Sequence, residues 1–229
     1  MKANVVIAGA GKGIGLELTR WFLRNECSVV AISRNTDQID SNSNLIALKA
    51  DITEVRVIQD KVIPLLSTLP QTDIHIYVYN AGILINKPFL ELTSEDMLNM
   101  LSVNFMGASI TTQALIPWLL NAKKAHVVFI GSMGGFQGSA RYPGLSVYSA
   151  SKSALGSLSE SLAQEFNDTS ISFNTLALGA VDTEMLQIAF PNFKAKTSAK
   201  SIAAFIGSFA LEQFIHFNGK VIPVAHNNP

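Results

Sequence analysis

The chain has 229 residues, 48% of them hydrophobic and 15% charged, which suffices to bury one core and excludes intrinsic disorder. Seventeen Lys and Arg balance seventeen Asp and Glu, so there is no basic field for nucleic acid or for an anionic membrane. The one cysteine, Cys27, excludes an intramolecular disulfide framework and a thiolate metal site and fits a reducing, cytoplasmic setting. His75, His126, His216 and His226 form no HxxxH or HExxH pair, so a metal site would need long-range assembly. The N-terminal apolar stretch is broken by Gly9, Gly11, Gly13 and Gly15, unlike a signal peptide, and no run reaches the ~18 apolar residues of a membrane span.

In chain order, Val- and Ile-rich runs at 4–8, 27–33, 45–49, 74–79, 126–132, 170–177 and 220–224 predict strands. Most are apolar at consecutive positions, as strands covered on both faces are. Between them, helical spacing predicts helices at 14–24, 55–69, 94–120, 149–166 and 198–211. Thr93-Ser94-Glu95-Asp96 offers a cap and an acidic first turn. This alternation predicts an α/β fold: one doubly wound parallel sheet, Rossmann-like, in a single domain spanning 1–229.

The first strand runs into Ala8-Gly9-Ala10-Gly11-Lys12-Gly13-Ile14-Gly15 and then a helix. GxGxxG fails here, because its third glycine would fall on Ile14 or Leu16. The pattern present is GxxxGxG at Gly9, Gly13 and Gly15. Such a turn lets the backbone approach a pyrophosphate at the positive helix end. The second strand ends Ile32-Ser33-Arg34-Asn35, with no acid before Asp37 to take a ribose 2′-hydroxyl. Arg34, Lys12 and Ser33 would instead meet a 2′-phosphate, so the residues predict NADP(H) over NAD(H). Asp51, at the end of the third strand beside Ile52, would either accept from an adenine amino group or cap the helix that follows.

Tyr148 and Lys152 stand four apart at the start of a helix and so share a face. A nearby ammonium favours the phenolate, and such a tyrosine can give a proton to a carbonyl oxygen or take one from an alcohol. Ser132 ends a central strand, where its hydroxyl would bond the same oxygen. It lacks a nearby histidine base, which argues against an acyl-transfer nucleophile. His75 and His126 lie in or beside strands and read as packed or surface residues.

GxxxGxG, Asn80-Ala81-Gly82 after the fourth strand, Asn104, Ser132 and Tyr148-xxx-Lys152 together resemble the classical short-chain dehydrogenase/reductase family, over essentially the whole chain. The resemblance implies a nicotinamide-dependent oxidoreductase acting on a small-molecule carbonyl/alcohol pair. It implies Tyr148 as general acid/base, with Lys152 lowering its pKa and holding the nicotinamide ribose. Ser132 would orient the substrate oxygen, and Asn104 would hold a water in a relay with Lys152. Asn80, Ala81 and Gly82 would line the cofactor cleft, and Gly179, Val181 and Thr183 would meet the nicotinamide carboxamide.

Two positions depart from the family pattern. Leu178 stands where relatives carry proline, which puts the rigidity of that turn in question. The Ser132-to-Tyr148 interval is long, with the extra residues placed at 138–143. Loops 136–145 and 184–197 would border the substrate mouth, the second as a short apolar lid carrying Met185, Leu186, Ile188, Phe190 and Phe193. The helices at 99–120 and 149–166 would pair subunits into a homodimer or homotetramer, through the small residues Ala150, Ala154, Gly156 and Ala163. The alternative function is a catalytically weak NADP(H)-binding regulatory or redox-sensing module of the same fold.

Overall fold

Consecutive apolar residues make strands here because helices cover both sides of the sheet. In the computed structural model, which describes residues 3–69, 72–213 and 216–225, the strands are β1 (Asn4–Ala8), β2 (Ser28–Ser33), β3 (Leu45–Lys49), β4 (Ile76–Tyr79), β5 (Ala125–Ser132), β6 (Ile171–Leu178) and β9 (Lys220–Val224). A separate small pair is β7 (Val181–Asp182) with β8 (Thr197–Ser198). The helices are α1 (Gly13–Arg24), α2 (Val55–Val57), α3 (Ile63–Ser67), α4 (Ser94–Leu101), α5 (Gly107–Leu120), α6 (Ser146–Glu165), α7 (Glu184–Ala189) and α8 (Ala199–Ser208). His226 lies outside the described residues.

The main sheet has seven strands in the order β3-β2-β1-β4-β5-β6-β9, and every neighbouring pair is parallel. The chain winds outward from β1 to β3, then returns to β4 and winds the other way. The switch point lies between β1 and β4, and ligands bind such sheets beyond the strand carboxyl ends at that point.

Alternate side chains feed two cores. Val6, Val30, Tyr77, Val127 and Phe129 pack with Ile58, Leu115 and Leu155 from the α2–α6 side. Val5, Ile7, Val29, Val78 and Val128 pack with Leu18, Phe22, Ile202 and Ile206 from α1 and α8. The edges differ from the expectation of full cover. Ile46 in β3 is exposed, and β9 carries Pro223, whose missing N–H is tolerated on an edge strand.

Two expected helices contain a wide π-type turn. In the first, Ile58–Val62 separates α2 from α3. Pro64 sits at the start of α3, and its missing N–H and bulky ring disrupt the pairing of the turn before it. In the second, Ser102–Met106 separates α4 from α5. There the Tyr79 hydroxyl donates to the Val103 carbonyl, which draws that oxygen out of the helical ladder. The start of α4 is the expected one: Thr93 and Asp96 form a reciprocal capping box, and Asp96 also takes the Lys87 ammonium at 2.7 Å.

Candidate active site

The glycine turn is set by close approach. Gly9 has φ +84°, and a Cβ there would come within 2.5 Å of the Ala81 backbone nitrogen. A Cβ at Gly15 would meet Asn80 Nδ2 at 2.7 Å, and Asn80 Nδ2 donates to Gly9 O at 2.8 Å. The turn, the first helical turn of α1 and the end of β4 are thus locked together across the switch point. Gly11 lies against Ser33 and Asn35, which brings the turn flush with the end of β2. At Gly13, where φ is +54°, a Cβ would stand 3.6 Å from the Thr183 methyl.

Above this turn lies a cavity of about 460 Å³. Its walls include Gly9, Gly11, Lys12, Gly13, Ile14, Ser33, Arg34, Asp51, Ile52, Asn80, Ala81, Gly82, Ser132, Tyr148, Lys152, Gly179, Val181 and Thr183. Gly15 and Asn104 stand behind the wall. Asp51 is occupied with its own turn, because Oδ1 accepts from Thr53 N at 2.9 Å and from the Thr53 hydroxyl at 2.7 Å. It caps no helix: the N-cap of α2 is Glu54, which makes no side-chain cap. Thr183 caps α7, accepting from Leu186 N at 3.3 Å.

The reacting end is built by β5 and α6. Ser132 closes β5 and accepts from Gly134 N at 3.2 Å, and its hydroxyl is a hydrogen-bonding neighbour of the Tyr148 phenol. Lys152, one turn along α6, is buried and donates from Nζ to Ile130 O at 2.8 Å. Burial lowers the Lys152 ammonium to about 8. Burial raises the Tyr148 phenol above its ordinary value, and Ser132 partly counters that. At the phenol, desolvation outweighs the Ser132 hydrogen bond, while the Lys152 ammonium rests on the Ile130 carbonyl.

Asn104 is fully buried in the wide turn. Its Oδ1 accepts from Ile83 N at 2.8 Å, while Nδ2 donates to Ile83 O and to Ser151 Oγ, each at 2.9 Å. With both amide hydrogens committed, the carboxamide clamps Ile83 against α6. A Cβ at Gly82 would meet Lys152 Nζ at 3.1 Å and Asn104 Oδ1 at 3.3 Å, so glycine keeps this corner open.

A family model described as short chain dehydrogenase matches residues 3–192. The chain belongs to the short-chain dehydrogenase family. It is an oxidoreductase of that family with a nucleotide cofactor. An uncharacterised oxidoreductase of Staphylococcus aureus (strain N315) is 26% identical over 227 residues, covering 96% of this chain and 95% of that one. The 3-ketoacyl-(acyl-carrier-protein) reductase of Brucella melitensis, solved with NADH, superposes with a TM-score of 0.89 at 21% identity, covering 99% and 98% of the two chains. ElxO with NADP bound gives 0.86 at 24% identity, covering 98% of each.

The two departures from the short-chain dehydrogenase pattern have structural answers. Leu178 is buried and extends β6, paired with Val224, and Gly179 N then donates to Val224 O at 2.9 Å. The strand therefore holds this turn in place of a proline ring. The long interval is taken up by loop 136–145 without displacing Ser132 from Tyr148. From that loop Tyr142 and Leu145 line the cavity, while Arg141 turns to the Gly134 carbonyl. From the lid, Met185, Leu186, Phe190 and Phe193 line it, and Ile188 is 72% exposed.

Sequence reasoning gave no site role to Thr53 or Val103, and it placed Glu184 only at the start of the lid 184–197. Glu184 pairs with Lys12 at 2.6 Å across 172 residues of chain, so no local signal points to it.

Proposed function

We propose that this chain is an NADP(H)-dependent oxidoreductase that interconverts a small-molecule carbonyl and its alcohol by hydride transfer. The observation that carries the reading is that Tyr148, Ser132 and Lys152 line one cavity with a glycine turn that admits no Cβ at Gly9 or Gly11. The residues fit a dinucleotide: Gly9, Gly11, Gly13 and Ile14 would receive its pyrophosphate at the start of α1, where no acidic side chain stands in the first turn. Ser33 and Arg34, at the end of β2, would receive a 2′-phosphate. The partners solved with the two relatives include both NADH and NADP, and the basic end of β2 favours NADP(H) here.

The dinucleotide supplies the hydride when bound. In reduction, the Tyr148 phenol gives its proton to the carbonyl oxygen; in oxidation the phenolate takes it back from the alcohol. Ser132 holds that oxygen in line with the phenol. Lys152 takes the nicotinamide ribose hydroxyls and steadies the phenolate. Asn104 is a positioning residue that fixes Ile83 beside them. Leu84, Leu145, Met185, Leu186, Phe190 and Phe193 form an apolar end that excludes water and suits an apolar carbonyl compound.

The test is NADPH oxidation against a panel of carbonyl compounds, with Tyr148→Phe alongside. The wild type turns over at least one member, and the variant loses about 100-fold or more, the contribution of a general acid. Absence of wild-type turnover on the whole panel, or an unchanged Tyr148→Phe rate, overturns the reading.

A further inference from the structure

We propose that Glu184 sets how strongly the site prefers a 2′-phosphate, by withholding Lys12 from it. This deepens the functional reading above and rests on it.

Lys12 and Glu184 both line the cavity, and their charged atoms meet at 2.6 Å. Because Gly11 lies against Ser33 and Asn35, the residue after it stands at the end of β2 beside Arg34. Lys12 and Arg34 are thus the two cations placed to meet a phosphate there. Lys12 is already paired, whereas Arg34 has no carboxylate partner within salt-bridge distance among the described residues.

The carboxylate at 184 acts twice. It neutralises Lys12, which stands at the positive end of α1, and it adds a negative charge to the wall of the cavity that would take the phosphate. In the chain as it is, recognition of the 2′-phosphate falls on Arg34 and Ser33, and Glu184 holds Lys12 in reserve.

The test is calorimetric titration with 2′,5′-ADP and with 5′-AMP, which differ by that phosphate. Glu184→Gln tightens 2′,5′-ADP about fivefold more than 5′-AMP, the scale of one released surface ion pair. Lys12→Ala costs more 2′,5′-ADP affinity in the Glu184→Gln background than in the wild type. Equal changes for the two nucleotides, no change in their ratio, or the same Lys12→Ala cost in both backgrounds overturns the proposal. A wild type that binds neither nucleotide, and no NADPH or NADH, overturns the functional reading and the inference with it.

Discussion

His126 is fully buried in β5, with Nδ1 3.3 Å from Ala210 O and Nε2 3.0 Å from Asn174 Nδ2. The Asn174 amide is oriented by Lys220 N, which donates to its oxygen at 3.0 Å, so its NH₂ must face the imidazole. The ring therefore carries its hydrogen on Nδ1 and accepts at Nε2. A proton added at Nε2 would meet donors, and burial pushes His126 down from 6.5 to about 3. Between those values the unfolded chain binds the extra proton. Stability is thus full above the unfolded value and falls as pH drops through this window, by up to about 1.4 kcal/mol per pH unit. Urea midpoints at neutral and mildly acidic pH check this: the wild type loses more on acidification than His126→Phe, and equal losses contradict it. Lys152 gives a second pH signature. Its ammonium is charged below about 8 and neutral above, so kcat/KM falls as pH rises through that value. A profile flat across it contradicts the assignment. A third residue tests the mouth loop. The Tyr142 hydroxyl is buried with no partner among the described residues. Tyr142→Phe therefore melts at or above the wild-type temperature, because no protein hydrogen bond is lost; a lower Tm would contradict this.

At the scale of elements, the wide turn Ser102–Met106 depends on a side chain from another strand. Tyr79 reaches across from β4 to Val103 O, and a Cβ at Gly107 would stand 2.5 Å from the Tyr79 hydroxyl oxygen. Gly107→Ala in an ordinary helix gains about 1 kcal/mol. Here it costs stability through overpacking, by about 1–3 kcal/mol. In a Tyr79→Phe background the clash is gone, and the same change becomes neutral or favourable. Thermal melts of the four proteins check the sign reversal, and strict additivity would contradict it. This dependence also explains what the residues revealed beforehand. The strand bounds at 4–8, 45–49 and 220–224 were legible because short runs holding Val, Ile or Leu mark a strand whether it is buried, as β1 is, or half-exposed at a sheet edge, as β3 and β9 are. The interruption of 94–120 was not, because its cause lies on another strand. The interruption of 55–69 had a local cause in Pro64.

For the whole molecule, the switch between β1 and β4 places the glycine turn, the strand ends and α6 around one cleft. Tyr148, Ser132 and the glycines could be read together because each sits at the end of a regular element. The Lys12–Glu184 pair could not, because it joins residues 172 apart through the fold alone. A ligand that spans the cleft binds only the folded state, so NADPH at 100 times its Kd adds about 2.7 kcal/mol of stability. That raises Tm by about 5–10 °C in a chain of this size; no shift at saturation would contradict dinucleotide binding. Subunit pairing is proposed for the α4–α5 side, where Leu98, Leu101, Met106 and Leu120 are exposed. Two of the small residues expected to serve it are used inside the chain instead. Gly156 abuts Val221, and Ala163 lies 3.0 Å from the Cβ position of Gly219. Size exclusion at micromolar concentration gives a dimer or tetramer; monomer alone contradicts the pairing.

β9 is the last strand of the sheet to leave the ribosome. Until residues 220–224 emerge, β6 is an open border and the Gly179 amide lacks its Val224 acceptor. Maturation of the cleft during translation therefore waits on its final strand. A nascent chain stalled just before Lys220 presents a sticky, unfinished sheet rather than a weak enzyme.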